Sequence, residues 1–525
     1  MPDSDVHGGM SGAAKWAKVI DHTRCIGCHA CTTACKSENE VPLTVTRTYV
    51  KYVDAGTFPN TRRLFQVTRC NQCEHAPCVT ACPTAAMFRR PDGIVDFDKS
   101  MCIGCKACIA ACPYDAIFIN PDDHSAEKCN FCAHRLDVGL EPACVVVCPT
   151  EAILVGDMND PLSKVAQIIG RDAVTVRRPE KHTLPKLFYK GAHEATLDPL
   201  AARRPEGGLF MWSEQPRNAS PASSLAVPVR SARPAVRTSR RAAAANTSAA
   251  ALLSYDVAHG VPWDWRVSLY TWTKGIAAGT YLVVLGLALA GAIGWTATLW
   301  RFVMPVVGGV FLALTGALLI WDLEHPERFH FIFTRPQWRS WLVRGGFIIG
   351  GYALVLVVHL LAGFFDASSV QRWLALVGAP VAVATASYTA YLFAQAKGRD
   401  LWQNPLGPIH LLVQAILAGS AMLSLLSWRR DALPALLIVI AASSALHVLL
   451  LASEHTLTHG TAHAKLAARE MTHGRYRGFF WTGVALACAG ILAPWLGPPA
   501  AAVALAGLLV YEHAYVQAGQ VMPLA

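Results

Sequence analysis

Sixteen of the chain's seventeen cysteines lie between Cys25 and Cys148, in four groups of four. The first group is Cys25, Cys28, Cys31 and Cys35; the third is Cys102, Cys105, Cys108 and Cys112; both are spaced C-x2-C-x2-C-x3-C. In the second group, Cys70, Cys73, Cys78 and Cys82, the middle gap widens to x4; in the fourth, Cys129, Cys132, Cys144 and Cys148, it widens to x11. Pro83, Pro113 and Pro149 follow the last cysteine of groups two, three and four, and Lys36 takes that place in group one. Three close thiolates, then a fourth that leaves in another direction to ligate a neighbouring cluster, then proline, is the run that holds [4Fe-4S] clusters. The proline ends the local turn because it has no N–H to donate. Zinc takes its ligands as two separated C-x2-C pairs, which leaves the third cysteine and the x3-C-P tail unexplained. Disulfide frameworks belong to small secreted chains, and Met1 to Lys18 carries no apolar signal core. Four [4Fe-4S] clusters are therefore predicted.

Because the fourth cysteine of each group crosses to another cluster, the groups must pair. Nested pairing (one with four, two with three) and sequential pairing are both open on spacing. Short strand-like stretches separate the groups: Ile94-Val95-Asp96-Phe97, Ala116-Ile117-Phe118-Ile119 and Ala152-Ile153-Leu154-Val155. They predict a small α+β, double ferredoxin-like domain over residues 1–200, built round clusters instead of a large apolar core.

Four such groups, with the long insertion in the fourth, resemble the electron-transfer subunit of the molybdopterin oxidoreductases (dimethyl sulfoxide reductase, polysulfide reductase and nitrite reductase accessory types), over residues 15–190. The resemblance implies the nested pairing. Cys25, Cys28 and Cys31 would be joined by Cys148, and Cys129, Cys132 and Cys144 by Cys35. Cys70, Cys73 and Cys78 would be joined by Cys112, and Cys102, Cys105 and Cys108 by Cys82, this last set lying nearest the membrane. It also implies a separate, large molybdopterin-type catalytic subunit as partner.

The rest of the chain is of another kind. The whole is 53% hydrophobic and only 16% charged, against about 25% charged for an ordinary soluble domain. Residues 201–255 form an Ala-, Arg-, Pro- and Ser-rich linker in which Arg203, Arg204, Arg217, Arg230, Arg233, Arg237, Arg240 and Arg241 face only Glu206 and Glu214. It reads as a disordered tether, with anionic lipid headgroups as the other partner for its charge. No aromatic or folded reading module accompanies that charge, so the net +10 does not point to nucleic acid. Residues 256–525 then hold apolar runs of bilayer length, at 273–293, 302–323, 343–365, 373–394, 406–426, 433–452, 479–496 and 500–517, which predict an all-α domain of eight transmembrane helices. Gly275 to Thr280, Gly345-Gly346 and Gly350-Gly351 are expected to let helices approach closely. Loops after the even-numbered helices hold nine Lys and Arg, those after the odd-numbered ones four. The positive-inside rule then puts the N-terminus and the cluster domain on the cytoplasmic side of a bacterial inner membrane.

This half resembles the membrane anchors of the polysulfide reductase and nitrite reductase accessory (NrfD-like) family in its eight spans, in Trp272–Thr280 and in the run from Ile320 to Phe329. The resemblance implies a quinone bound near the cluster-side surface and no haem. Asp322, His325 and Arg328 at the end of helix two, with Lys274 and Trp272 on helix one, are the expected quinone residues: an acid, an imidazole and cations at one depth. His325 can move protons near neutral pH. Deeper lie His359, His410, His447, His513, Glu512 and Tyr388. They offer interhelical hydrogen bonds, a proton path or axial ligands for a b-type haem. The expected function is electron transfer between the catalytic partner and membrane quinone, with substrate chemistry in the partner. The alternatives are a subunit of a proton-translocating respiratory complex and a haem b-containing anchor.

Overall fold

The computed structural model describes residues 14–57, 59–203, 251–426, 432–456 and 459–525. The expected tether, with all its arginines but Arg203, lies outside the described residues except at its two ends.

Small sheets deliver the cysteine loops. Strand Trp16–Asp21 runs antiparallel to Ile153–Asp157 and parallel to Leu187–Lys190, with Val174–Thr175 at the outer edge. Alternation along a strand sends successive side chains to opposite faces. Ala17 and Val19 pack on Val165 of helix Lys164–Arg171, while Ile20 joins Cys31 and Cys144 on the other side. A long hairpin, Thr48–Thr57 with Asn60–Arg69, pairs along its whole length and hands Cys70 directly to the second cysteine group. Two short ribbons, Met87–Arg89 with Val95–Phe97 and Ile117–Ile119 with Ala126–Lys128, follow groups two and three. The three stretches expected as strands are all found as strands.

The expected linker ends differently. Residues Leu252–Tyr255 add a third strand to the hairpin, antiparallel to Thr48–Thr57. Arg203 sits against this strand: its N–H donates to the Ala251 carbonyl at 3.0 Å, and the Leu253 N–H donates to the Arg203 carbonyl at 2.8 Å. The chain thus leaves and re-enters the cluster domain at one point, and Leu252–Tyr255 belongs to that domain's sheet.

Among the described residues, seven helices are long and apolar enough to cross a membrane: Trp265–Leu289, Leu299–Trp321, Trp341–Phe364, Ser368–Gln395, Gly407–Leu426, Leu433–Thr456 and Pro498–Ala518. We refer to them as the first to seventh long helices. The span expected at 479–496 is divided. Helix Arg477–Ile491 has 15 residues and a separate turn, Ala493–Leu496, follows it. At ~1.5 Å per residue the longer piece reaches about 22 Å, short of the ~30 Å hydrocarbon core. The break coincides with Pro494, which has no N–H to continue the ladder. Outward-facing Leu354, Val357, Leu361, Trp373 and Leu376 are exposed, the surface a lipid-facing helix needs. The first and fifth long helices cross in backbone contact, since a Cβ on Gly279 would run into the Ala415 carbonyl. Gly345 takes the edge of the Tyr388 ring in the same way, whereas Gly350 and Gly351 face open space and mediate no helix contact.

Candidate functional site

Each cysteine group begins with the same turn. The residue before the second cysteine has a left-handed backbone in all four: Gly27, Gln72, Gly104 and Phe131. This conformation turns amides back toward the preceding thiol, so that Gln72 N–H reaches Cys70 Sγ at 3.5 Å and Gly104 N–H reaches Cys102 Sγ at 3.4 Å. Groups one and three use glycine, which takes this conformation freely; groups two and four hold a bulkier residue there. Short helices (Ala30–Glu38, Pro77–Ala81, Ala107–Ala111, Ala143–Val146) then carry the third cysteine. After two of the C-P elements a threonine hydroxyl returns to the last sulfur, Thr84 to Cys82 at 3.9 Å and Thr150 to Cys148 at 3.8 Å.

The thiols approach one another across groups. Cys25 feels the charge of Cys28 and Cys148; Cys35 that of Cys129, Cys132 and Cys144; Cys73 that of Cys70, Cys78 and Cys112; Cys105 that of Cys82 and Cys102. Links between these sets run in one line, through Cys31 and Cys144, Cys70 and Cys129, then Cys78 and Cys108. One cavity is ringed by Cys25, Cys28, Cys31 and Cys148, and another by Cys82, Cys102, Cys105 and Cys108. Among the described residues no three His, Cys, Asp or Glu side chains converge as for a single ion. Thiols spread round a cavity fit the corners of a cube of iron and sulfide, so the donor set suits [4Fe-4S] clusters.

Burial pushes several of these thiols up, among them Cys35, Cys73, Cys105 and Cys31, the last to about 11. Cys144 moves the other way. Its burial also raises it, but Arg69 and Lys18 outweigh that and hold it at about 7. The Arg69 Nη1 donates to Cys144 Sγ at 2.9 Å and Lys18 Nζ stands 3.6 Å from the same sulfur.

Groups two and three face the membrane half. Gln337 N–H donates to the Pro83 carbonyl at 2.9 Å, Ser340 Oγ to that of Ala81 at 2.8 Å, and Trp263 Nε1 to that of Cys105 at 3.2 Å. Lys106, beside Cys105, donates to the Asp322 carbonyl at 3.1 Å and pairs with Glu324 at 2.9 Å. Directly beneath lies a cavity of about 230 Å³ lined by Cys105, Trp263, Tyr270, Asp322 and Tyr388 together with the apolar Phe329, Ile332, Phe333, Gly346 and Ile349.

The expected quinone residues do not all reach this cavity. Asp322 does: it caps the second long helix, is 8% exposed, and burial pushes its carboxyl up to about 6 despite Lys106 and Arg266 nearby. Its Oδ1 makes no hydrogen bond. Lys274 is one residue removed, fully buried, donating to the Ala386 carbonyl at 3.0 Å and Thr389 Oγ1 at 2.5 Å beneath the Tyr388 ring. His325 and Arg328 turn instead into the seam. His325 Nε2 meets the Asp123 carbonyl at 2.9 Å, and Arg328 Nη1 donates to the carbonyls of Lys99 and Cys102, each at 3.0 Å. Trp272 turns the other way, its Nε1 donating to the Leu505 carbonyl at 3.0 Å. These three position the halves and helices; they do not line the cavity. Trp263 and Tyr270 line it without having been singled out in the sequence. Lys18 was likewise missed, although a lysine alternating with Trp16 and Ile20 on the inner face of a strand was the signal for it.

In the membrane half His410 Nδ1 meets Glu454 at 2.9 Å and its Nε2 meets His447 Nδ1 at 2.8 Å. His410 and His447 are thus bonded to each other. His359 meets the Trp300 carbonyl, and His513 lies against Phe479.

Comparisons with known proteins follow the same division. Residues 61–158 match the 4Fe-4S dicluster domain family, and residues 255–521 match the polysulphide reductase NrfD family. A tetrathionate reductase subunit of Salmonella typhimurium is 42% identical over 204 residues, 38% of this protein and 80% of that one. A polysulfide reductase component of Wolinella succinogenes is 44% identical over 179 residues, 34% and 94% of the two. Protein NrfC of Escherichia coli K12 is 42% identical over 177 residues, 33% and 79%.

Proposed function

The chain belongs to the polysulphide reductase NrfD family through residues 255–521, and on that premise we propose that it is the fused iron–sulfur and membrane-anchor subunit of a respiratory oxidoreductase, passing electrons between a separate molybdopterin-type catalytic subunit and a membrane quinone. Four [4Fe-4S] clusters would be held in the nested sets, ordered from Cys25, Cys28, Cys31 and Cys148 through Cys35, Cys129, Cys132 and Cys144, then Cys70, Cys73, Cys78 and Cys112, to Cys82, Cys102, Cys105 and Cys108. When bound they supply one-electron transfer; the protein fixes their spacing and surroundings. At the outer end Cys28 is exposed beside Ile26, Val146 and Val147, all exposed, an apolar margin where the catalytic partner would seat. Two relatives are named for tetrathionate and polysulfide reduction, so a sulfur compound is the partner substrate we would test first.

The observation that carries this reading is the cavity lined by both Cys105 and Asp322. A quinone takes two electrons and two protons. Its headgroup would receive electrons by way of Cys105 and a proton from Asp322, while the apolar lining accepts the isoprenoid tail. The test is Asp322→Asn in the purified complex. Reoxidation of the reduced clusters by a short-chain quinone should slow at least tenfold, with ferricyanide reoxidation and cluster spectra unchanged. Quinone reoxidation at the normal rate would remove Asp322 from the site.

Eight crossings, with Arg477–Leu496 as the shortest, and a cytoplasmic cluster domain complete the proposal; a reporter inserted in the 366–367 turn should read periplasmic. A second reading, a membrane half that moves protons, is favoured by the buried line Glu454–His410–His447. Proton release beyond quinone stoichiometry in sealed vesicles would select it.

A further inference from the structure

Two fully buried cations in the cluster domain have, among the described residues, no counter-carboxylate in reach of their charge. Lys18 is 0% and Arg69 1% exposed, and isolated ammonium or guanidinium groups are not buried without compensation. Their partner is a sulfur: both converge on Cys144, and Lys18 Nζ also lies 4.4 Å over the Phe131 ring. Two of Arg69's donor atoms, Nε and Nη2, are buried without any partner, although the guanidinium carries five N–H groups. Arg69 also feels the charge of Cys129 and Cys31, which places it between two neighbouring ligand sets. A third side chain, Asn39, directs its Nδ2 at Cys35 Sγ, 3.7 Å, and Cys132 Sγ, 3.8 Å. In the set nearest the membrane, by contrast, Cys82 and Cys102 take backbone N–H groups of Met87, Gly104 and Ala126, and Lys106 beside it is paired with Glu324.

We propose that Lys18 and Arg69 are potential-setting residues for the cluster held by Cys35, Cys129, Cys132 and Cys144, raising its midpoint, with the spare Arg69 donors meeting that cluster's sulfides. The proposal rests on the nested ligand sets. Its physical basis is that reduction adds one negative charge to the cluster, which a buried cation and N–H donors on sulfur favour; net charge and hydrogen bonds to sulfur are the recognised controls of cluster potential. The consequence is that the second station of the wire is reduced more readily than it would be without the two cations.

The test is an EPR-monitored redox titration of the complete protein and of Lys18→Met and Arg69→Gln, with Lys18→Arg and Arg69→Lys as charge-keeping variants. One cluster of four should shift downward in each neutral variant, by at least tenfold in the reduced-to-oxidised ratio at fixed potential, about 59 mV for a one-electron couple. The charge-keeping variants should recover most of the shift and the other three clusters should titrate as before. Unshifted titrations overturn the proposal. So does loss of the cluster in both neutral variants with retention in the charge-keeping ones, since the pair would then serve assembly. Fewer than four clusters in the unaltered protein would instead refute the ligand-set reading on which the proposal stands.

Discussion

Replacing Gly104 by alanine should uncouple the two halves without emptying either. Gly104 lies between Cys102 and Cys105 at φ +68, and a Cβ there would run into the Glu324 Cβ and sit 2.9 Å from the Glu324 backbone nitrogen. Two costs add. The left-handed conformation costs a non-glycine residue about 1–2 kcal/mol. The clash is with backbone and a short stem that cannot swing aside, so it is an overpacking cost of about 1–3 kcal/mol. Gly139→Ala separates them: Gly139 has φ +77 and nothing within 4 Å of a built Cβ, so it bears the first cost alone. The difference, about 1–3 kcal/mol, falls on the seam where Glu324 pairs with Lys106, and corresponds to a roughly 5–150-fold shift between docked and separated halves. The assay is reoxidation of reduced clusters, by a short-chain quinone and by ferricyanide, with iron content measured on the same samples. Gly104→Ala should lose quinone reoxidation at least fivefold relative to Gly139→Ala while ferricyanide reoxidation and iron content match. Equal quinone rates in the two variants would show that the seam does not set delivery to the cavity, and the reasoning would fail.

The remaining predictions concern the joint and the ligand sets. Burial lowers His259, but its bonds to Asp115, 2.5 Å, and Asp256, 3.1 Å, outweigh that and raise it to about 9. A group raised in the folded state from 6.5 to about 9 contributes stability fully present below about pH 6.5 and lost as pH rises through about 9. The melting temperature should therefore fall between about pH 6.5 and 9.5, and His259→Gln should flatten that fall; an unchanged slope would contradict it. Under nested pairing, Cys82→Ser should perturb the same EPR signal as Cys105→Ser and leave that of Cys73→Ser untouched, while sequential pairing predicts a different grouping.

The cysteine turns were legible because their chemistry is local: C-x2-C with a left-handed residue before the second cysteine is complete within four residues, and it recurs. Helices of apolar length were legible for the same reason. What escaped depends on distant partners. His325 and Arg328 stand a few residues from a cavity-lining acid, yet their partners are carbonyls of Lys99, Cys102 and Asp123, more than 200 positions away. No one-dimensional pattern distinguishes that from a quinone ligand. Leu252–Tyr255 is too short to announce a strand at the end of a basic stretch; it is a strand because the Thr48–Thr57 edge is there to pair with. The division at Pro494 is local and could have been read, since proline interrupts an otherwise continuous apolar run.

The paired residues Arg203 and Leu252 have a practical corollary. Segment 204–250 is a detour that starts and finishes at neighbouring backbone atoms, so its length does not enter the distance from Cys105 to Asp322. Because Arg203 and Leu252 lie parallel, only a crossover of roughly a dozen residues is obligatory. A protease site engineered within 204–250 should, once cut, yield two polypeptides that migrate as one particle in detergent and keep electron delivery intact. That result would show the covalent fusion to be dispensable after folding.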